Sequence, residues 1–241
     1  MIRIENLSKS YGDKEVLKSI TLNISGLGIH GILGPNGCGK TTLIKSMLGL
    51  VSIENGNIFL DGQAMQEQRQ KISWLPQHPK APSHTTSRQL FELIEGLRGE
   101  KALFKDELIQ AFDFQGELDK SISSLSGGNY QKAFLILTLM FDVPLIILDE
   151  PTVGLDPMSA ARFKKVISER AKSSTILLIS HITSEVEQLS DQIHFLLDGK
   201  FVFSGTKAEL ITHSQSQSEN HSFEDALIWI VQEKKNQEKK I

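Results

Sequence analysis

A glycine-rich segment, Gly34-Pro35-Asn36-Gly37-Cys38-Gly39-Lys40-Thr41-Thr42, constrains this chain more than any other feature. It fits the pattern G-x-x-x-x-G-K-[ST], which forms a phosphate-binding loop when it lies between a strand and a helix. The apolar residues 29–33 predict a buried strand before it, and residues 42–48 predict an amphipathic helix that ends at Gly49. We therefore expect a phosphate-binding loop, the alternative being a Gly-rich turn that binds nothing.

The residue types of this loop suit an anionic ligand. Glycines let the backbone N–H groups point inward, and the positive end of the helix dipole adds to the attraction. Lys40 is expected to reach the outer phosphates, and Thr41 is expected to offer its hydroxyl to Mg²⁺.

A pair of carboxylates follows a second apolar run. Residues 143–148 predict a strand buried on both faces of a parallel sheet, and Asp149-Glu150 come at its end. Ligands bind at the carboxyl ends of such strands. Asp149 is therefore expected to bind Mg²⁺, and Glu150 is expected to polarise a water for attack on a γ-phosphate. A solvated acidic loop is the alternative.

A second Gly-rich turn, Leu125-Ser126-Gly127-Gly128-Asn129-Tyr130-Gln131-Lys132, opens an apolar helix. The N–H groups at that helix start and the Ser126 hydroxyl make another anion site. An ordinary Ser-Gly helix cap is the alternative interpretation. One chain thus carries two devices that can bind phosphate.

Together these ordered motifs resemble the nucleotide-binding subunit of ATP-binding-cassette (ABC) transporters, over about residues 1–211. The resemblance implies an α/β fold: a P-loop NTPase core with a parallel sheet, an N-terminal antiparallel β subdomain and an inserted helical subdomain at about 82–140. It also implies ATP and Mg²⁺ as ligands. Residues 212–222 are polar and predict a linker, and 223–241 predict an amphipathic helix with a Lys-rich tail.

The resemblance assigns roles to residues that carry little signal alone. It implies that Tyr11 stacks on adenine and that Gln77 touches Mg²⁺ and the attacking water. It places Asp156 in a loop that crosses a dimer interface, and it implies that His181 holds the γ-phosphate. The catalytic set is then Lys40, Gln77, Glu150 and His181, and the metal ligands are Thr41, Gln77 and Asp149. The nucleotide-binding set is Tyr11, Gly34, Pro35, Asn36, Gly37, Cys38, Gly39, Lys40, Thr41, Thr42, Ser126, Gly127, Gly128 and Asp156.

The same resemblance implies that a complete site needs two chains. The P-loop of one subunit would face Ser126, Gly127 and Gly128 of another, so that two ATP molecules lie between a pair of cassettes. We expect the second cassette to be another copy of this chain. Asn129 departs from the glutamine usual at that position, but the phosphate-facing groups before it are intact.

Composition is consistent with a subunit that reaches the membrane through partners. The net charge is only −3, so charge implies no nucleic-acid partner, and the apolar runs are too short to span a bilayer. We expect a cytoplasmic protein, peripheral on the inner face of the cell membrane, that binds membrane-spanning transporter subunits.

Three classes of function remain to be compared. The first is the ATPase subunit of an ABC transporter, most similar to type 2 exporters, with a fainter likeness to the ATPase for copper-site maturation of nitrous-oxide reductase. The second is an ABC ATPase of translation or DNA repair. The third is a P-loop kinase or GTPase, which the octamer at 125–132 argues against.

Overall fold

The computed structural model describes residues 1–215 and 222–238 and divides into two compact units. The first unit is Met1–Gln68 with Ile179–Ile241, and the second is Arg69–Leu178. The first unit is therefore built from two stretches of sequence that the second unit separates.

An antiparallel sheet forms the N-terminal part of the first unit. Its four strands follow the order β2-β1-β4-β5. They are β1 (Ile2–Tyr11), β2 (Lys14–Ile24), β4 (Asn55–Leu60) and β5 (Gln63–Ala64). Ile2 pairs with Ile24 on one side and with Leu60 on the other, and all three side chains are buried. This is the predicted antiparallel β subdomain.

A second group of strands in the first unit carries the phosphate-binding loop. Strand β3 (Gly28–Leu33) pairs in parallel with β9 (Gln192–Leu197), which pairs antiparallel with β10 (Lys200–Gly205). All six residues of β3 are buried, as expected for a strand covered on both faces. The loop follows β3 and leads into α1 (Lys40–Met47).

Three helices complete the first unit: α6 (Thr183–Leu189), α7 (Lys207–Gln215) and α8 (Phe223–Glu238). Phe223, Ala226 and Ile230 of α8 are buried in a cluster with Phe195 of β9. The amphipathic helix predicted from 223 is therefore present and packs on the core. Helix α7 includes residues 212–215 of the predicted linker, while 216–221 and the tail residues 239–241 lie outside the described part of the chain.

The second unit contains the segment predicted as a helical subdomain together with three strands. Strand β6 (Ile72–Leu75) pairs in parallel with β7 (Leu145–Asp149), whose residues are all buried, and β8 (Thr175–Ile179) is the next strand beyond β7.

None of the helices in the described ranges 1–215 and 222–238 combines the length and apolar character of a bilayer span. The strands and α-helices of this unit are β6 (Ile72–Leu75), α2 (Ser87–Arg98), α3 (Lys105–Ala111), α4 (Gly127–Leu139), β7 (Leu145–Asp149), α5 (Pro157–Arg170) and β8 (Thr175–Ile179), whose last residue is counted in the first unit.

Candidate functional site

The loop predicted to bind phosphate lies between β3 and α1, as its pattern requires. The backbone is left-handed at Gly37, with φ of 80°, and at Gly39, with φ of 115°, a region that favours glycine. Gly39 is the N-cap of α1 and has no side chain to cap the first turn. The N–H groups at this helix start are therefore available to an anion, which the helix dipole also attracts.

Lys40 turns back onto the loop. Its Nζ donates to the carbonyl oxygen of Gly34 at 2.5 Å and to that of Pro35 at 3.1 Å. A hydrogen bond between a cation and an anion is stronger than one to a neutral carbonyl. A phosphate oxygen can thus compete with these carbonyls for the ammonium group.

Gly34 has no room for a side chain. A Cβ atom there would lie 2.3 Å from the carbonyl oxygen of Leu196 and 2.6 Å from Sγ of Cys38. Cys38 is itself buried, and this burial raises the pKa of its thiol. The loop is therefore packed tightly against the end of β9.

The first unit also contains Tyr11 and His181. Tyr11 ends β1 with half of its surface exposed, and Nζ of Lys9 lies 5.0 Å from the centre of its ring. His181 is exposed between β8 and α6. Ser180, which precedes it, is buried, and its hydroxyl accepts the N–H of Ile182 at 3.1 Å.

In the second unit the predicted carboxylates lie at the end of a buried strand. Asp149 is the last residue of β7, and Glu150 follows with a left-handed φ of 55°. That conformation is strained for a residue other than glycine, and such strain concentrates at functional sites. Both side chains are buried, at 4% and 5% exposure. Gln77 lies two residues beyond the end of β6 and is exposed.

Ser126, the first residue of the second predicted anion site, is the N-cap of α4. Its hydroxyl oxygen accepts the backbone N–H of Asn129 at 3.3 Å, and its own proton stays available for donation. Asn129 contributes its backbone to this cap, so the departure from the usual glutamine leaves the cap unchanged. Gly127 and Gly128 are the first residues of α4, and a Cβ atom at Gly128 would lie 3.2 Å from the carbonyl oxygen of Gly154.

Asp156 caps α5 of its own chain. Its carboxylate accepts the Ser159 N–H at 2.9 Å and the Ser159 hydroxyl at 2.5 Å. These two hydrogen bonds, the hydroxyl first, lower the pKa of Asp156 to about 2. Lys132 adds a cation 3.7 Å away. The residue predicted for a crossing loop therefore also fixes the start of a helix.

Two supporting residues were missed by sequence reasoning. Gln131 donates from Nε2 to the carbonyl of Pro151 at 2.9 Å, next to Glu150. The Tyr130 hydroxyl donates to the carbonyl of Pro79 at 2.7 Å, close to Gln77. The available signal was the polar Gln131 within the first turns of an otherwise apolar helix, since a buried amide must find a partner.

The two units divide the predicted residues between them. Tyr11, the loop from Gly34 to Thr42 and His181 belong to the first unit, and the remaining residues belong to the second unit. The remaining residues are Gln77, Ser126, Gly127, Gly128, Asp149, Glu150 and Asp156.

A strand, a glycine-rich loop and a helix in this order define a nucleotide-binding protein of the P-loop class. Residues 17–153 match the ABC transporter family, and the chain belongs to that family. It is 32% identical to the lantibiotic transport ATP-binding protein SrtF of Streptococcus pyogenes over 205 residues, which cover 84% of this chain and 89% of that protein. It is 33% identical to the daunorubicin resistance ATP-binding protein DrrA3 of Streptomyces coeruleorubidus, with coverage of 87% and 69%.

Solved structures agree with the fold. A structure described as the ATP-binding subunit of an ABC transporter superposes with a TM-score of 0.88 at 23% identity, covering 96% of this chain and 99% of that one. A dimeric bacterial ABC transporter cassette superposes with a TM-score of 0.78 at 22% identity, covering 86% and 98%.

These comparisons confirm the predicted family, the fold class and the assignment as an ATPase subunit. As an ABC ATP-binding subunit, the chain acts with membrane-spanning transporter subunits. The likeness to the ATPase for nitrous-oxide reductase maturation stays a prediction.

Proposed function

We propose that this chain drives a type 2 exporter by closing with a second copy around two ATP molecules and opening again after hydrolysis. The phosphate-binding loop supports this most directly, because the N-cap of α1 is Gly39, which has no side chain, and Lys40 donates to two carbonyls of the same loop. The names of the relatives SrtF and DrrA3, which refer to lantibiotic transport and daunorubicin resistance, favour export. The protein would lie on the inner face of the membrane through its partners.

Mg²⁺ fits the oxygen donors that the sequence predicts. A hydroxyl from Thr41, an amide oxygen from Gln77 and a carboxylate from Asp149 are hard ligands of the kind Mg²⁺ prefers, and water completes such a shell. Thr41 and Gln77 are exposed, and Asp149 ends a strand. When bound, the ion would neutralise negative charge on the phosphates.

Glu150 is proposed as the general base. Its backbone strain indicates that the surrounding structure holds it in one orientation, which a proton acceptor for an attacking water requires. Lys40 would hold the outer phosphates, His181 would donate to the γ-phosphate, and Tyr11 would stack on adenine. The exposure of Tyr11 and His181 suits contacts with a ligand.

Ser126 is proposed to complete the site of the facing subunit. Because its oxygen accepts within the cap, its proton can be donated to a phosphate of the partner's ATP. Gly127 and Gly128 would add backbone N–H groups, and Asp156 would lie at the seam. ATP would then favour the closed pair, and its hydrolysis would release the pair.

A mixing experiment tests the two-chain site. Lys40→Ala removes the cation from the phosphate-binding loop of the subunit that carries it. Ser126→Arg places a large side chain only in the site that faces the partner's ATP. Each variant alone should be inactive, whereas a mixture with excess Ser126→Arg should regain ATPase activity from pairs with one intact composite site. The same total concentration of either variant alone is the control. A parental rate from the Ser126→Arg protein alone would overturn the two-chain site.

A further inference from the structure

The turn between β9 and β10 contacts the phosphate-binding loop directly. The Gly199 N–H donates to the carbonyl of Cys38 at 3.1 Å, and the Gly199 carbonyl accepts the N–H of Lys18 at 2.9 Å. A Cβ atom at Gly199 would lie 2.4 Å from the carbonyl oxygen of Val16. The turn is thus fixed between the loop and β2.

The residues before the turn support the other end of the loop. The Leu196 carbonyl oxygen lies so close to Gly34 that a Cβ atom there would be 2.3 Å away. From Gly34 to Cys38 the phosphate-binding loop therefore rests on residues 196–199. A shift of this turn would move the loop with it.

Lys234 of the C-terminal helix α8 reaches this turn. Its Nζ donates to the carbonyl of Leu197 at 3.1 Å and lies 3.5 Å from Oδ2 of Asp198. The Lys234 side chain is only 19% exposed. Because Phe223 and Ile230 anchor α8 in the core, Lys234 is presented from a fixed helix.

The charge of Asp198 acts on the loop. Burial is the main cause of the raised pKa of the Cys38 thiol, and the negative charge of Asp198 adds to it. The same charge would repel the phosphates of a nucleotide, since like charges at short range disfavour each other. The ammonium group of Lys234 lies beside that carboxylate and offsets it.

We propose that Lys234 is a positioning residue for nucleotide binding, holding the Asp198-Gly199 turn against Cys38 and neutralising Asp198 beside the loop. This rests on the proposed function, because it assumes that the loop binds the phosphates of ATP. It goes beyond that function because α8 lies outside residues 17–153, which match the family. The C-terminal helix would thus set the affinity of the chain for nucleotide.

Substitution of Lys234 separates this role from a general effect on folding. Lys234→Met removes both the donor and the charge, and should raise the KM for ATP about 3–10-fold with kcat little changed. Lys234→Arg should keep parental values. Lys207→Met is the matched control, because Lys207 also pairs with a carboxylate in the first unit, Glu187 at 2.5 Å. If Lys234→Met folds poorly, Lys234→Gln removes the charge and keeps a donor.

Amide hydrogen exchange gives a readout that needs no nucleotide. In the Lys234 variant, peptides covering 34–39 and 197–201 should exchange faster than in the parent, and peptides from the second unit should be unchanged. Parental exchange and parental KM would overturn the proposal, and so would faster exchange throughout the chain. If the parent bound no ATP, the proposed function would fail, while the exchange comparison would still decide whether Lys234 holds the loop.

Discussion

The side-chain amide of Gln131 donates to the backbone carbonyl of Pro151 at 2.9 Å, and this contact is buried. It joins α4, which begins at the Ser126 cap, to the residue directly after Glu150. Because Glu150 has a strained φ of 55°, the backbone beside it must be held from outside. Gln131 supplies such a restraint from within the second unit.

Replacing Gln131 with Leu should therefore reduce both stability and turnover. The Pro151 carbonyl would remain buried without its partner, a loss of about 1–3 kcal/mol in the free energy of unfolding. We expect kcat to fall about tenfold while the KM for ATP changes little, measured by urea unfolding and steady-state hydrolysis. Gln110→Leu, an exposed glutamine in α3, is the control and should leave both unchanged. Parental kcat in the Gln131 variant would show that the contact does not hold Glu150.

Replacing Glu150 with Gln keeps the shape of the side chain but removes the proton acceptor. Loss of a general base typically lowers the rate about 10²–10⁴-fold. Nucleotide binding should persist, and size-exclusion chromatography with Mg-ATP should show a stable dimer. Hydrolysis at the parental rate would mean that another group activates the water.

Two glycines of the candidate site should respond differently to alanine. At Gly34 a Cβ atom would meet the Leu196 carbonyl at 2.3 Å, whereas at Gly127 it would meet nothing within 4 Å. Gly34→Ala should lose about 1–3 kcal/mol of stability through overpacking and should bind ATP poorly. Gly127→Ala should unfold at or above the parental urea midpoint. Equal midpoints for the two variants would contradict the packing seen around Gly34.

A buried histidine pair lies on β3 and β9 of the first unit. Nδ1 of His30 and Nε2 of His194 are 3.3 Å apart, with ring planes 10° from parallel, and the His194 Nδ1 lies 3.1 Å from the Ser204 hydroxyl. In the bond between the two rings one nitrogen must donate and the other must lack a proton, so at least one of the two rings is neutral. Burial, and secondly the neighbouring His30, lowers the pKa of His194 to about 4.

Acid should therefore destabilise this protein through His194. Its folded pKa of about 4 lies below the ordinary 6.5, so the unfolded chain binds more protons as the pH falls between these values. The free energy of unfolding is therefore unaffected by His194 above pH 6.5 and falls as the pH drops from 6.5 towards 4. The full decrease is about 3 kcal/mol. Urea unfolding measured at pH 7.5 and at pH 4.5 gives the free energy of unfolding at each pH. The difference between the two values should be smaller for His194→Gln than for the parent. Equal pH dependence in both proteins would exclude His194 as the cause.

Local patterns predicted much of this fold because they depend on neighbouring residues. The loop that begins at Gly34 lies between the expected strand and the expected helix. The first residues of β7 and α1 differ from the predicted ones, and the sequence explains both differences. The strand predicted at 143–148 begins at Leu145, since Pro144 has no N–H to donate to a sheet. Helix α1 begins at Lys40, directly after its Gly39 cap.

Contacts between distant segments could not be predicted in this way. Lys234 meets Asp198 across 36 positions, and Gln131 meets Pro151 across 20. Neither pair has a periodic or compositional signature, because each depends on how whole elements pack. The pairing of His30 with His194 across 164 positions has the same origin. Such contacts support a candidate site whose main residues the sequence already indicates.

The parallel pairing of β3 with β9 also constrains when a newly made chain becomes functional. Ribosomes synthesise the β3 strand early, but its partner at 192–197, and the turn that supports Cys38, emerge only after the whole second unit has been translated. Domains fold as units during synthesis, so the loop cannot reach its final conformation before then. An incomplete nascent chain therefore lacks the finished conformation of the phosphate-binding loop until residues 192–199 have been added.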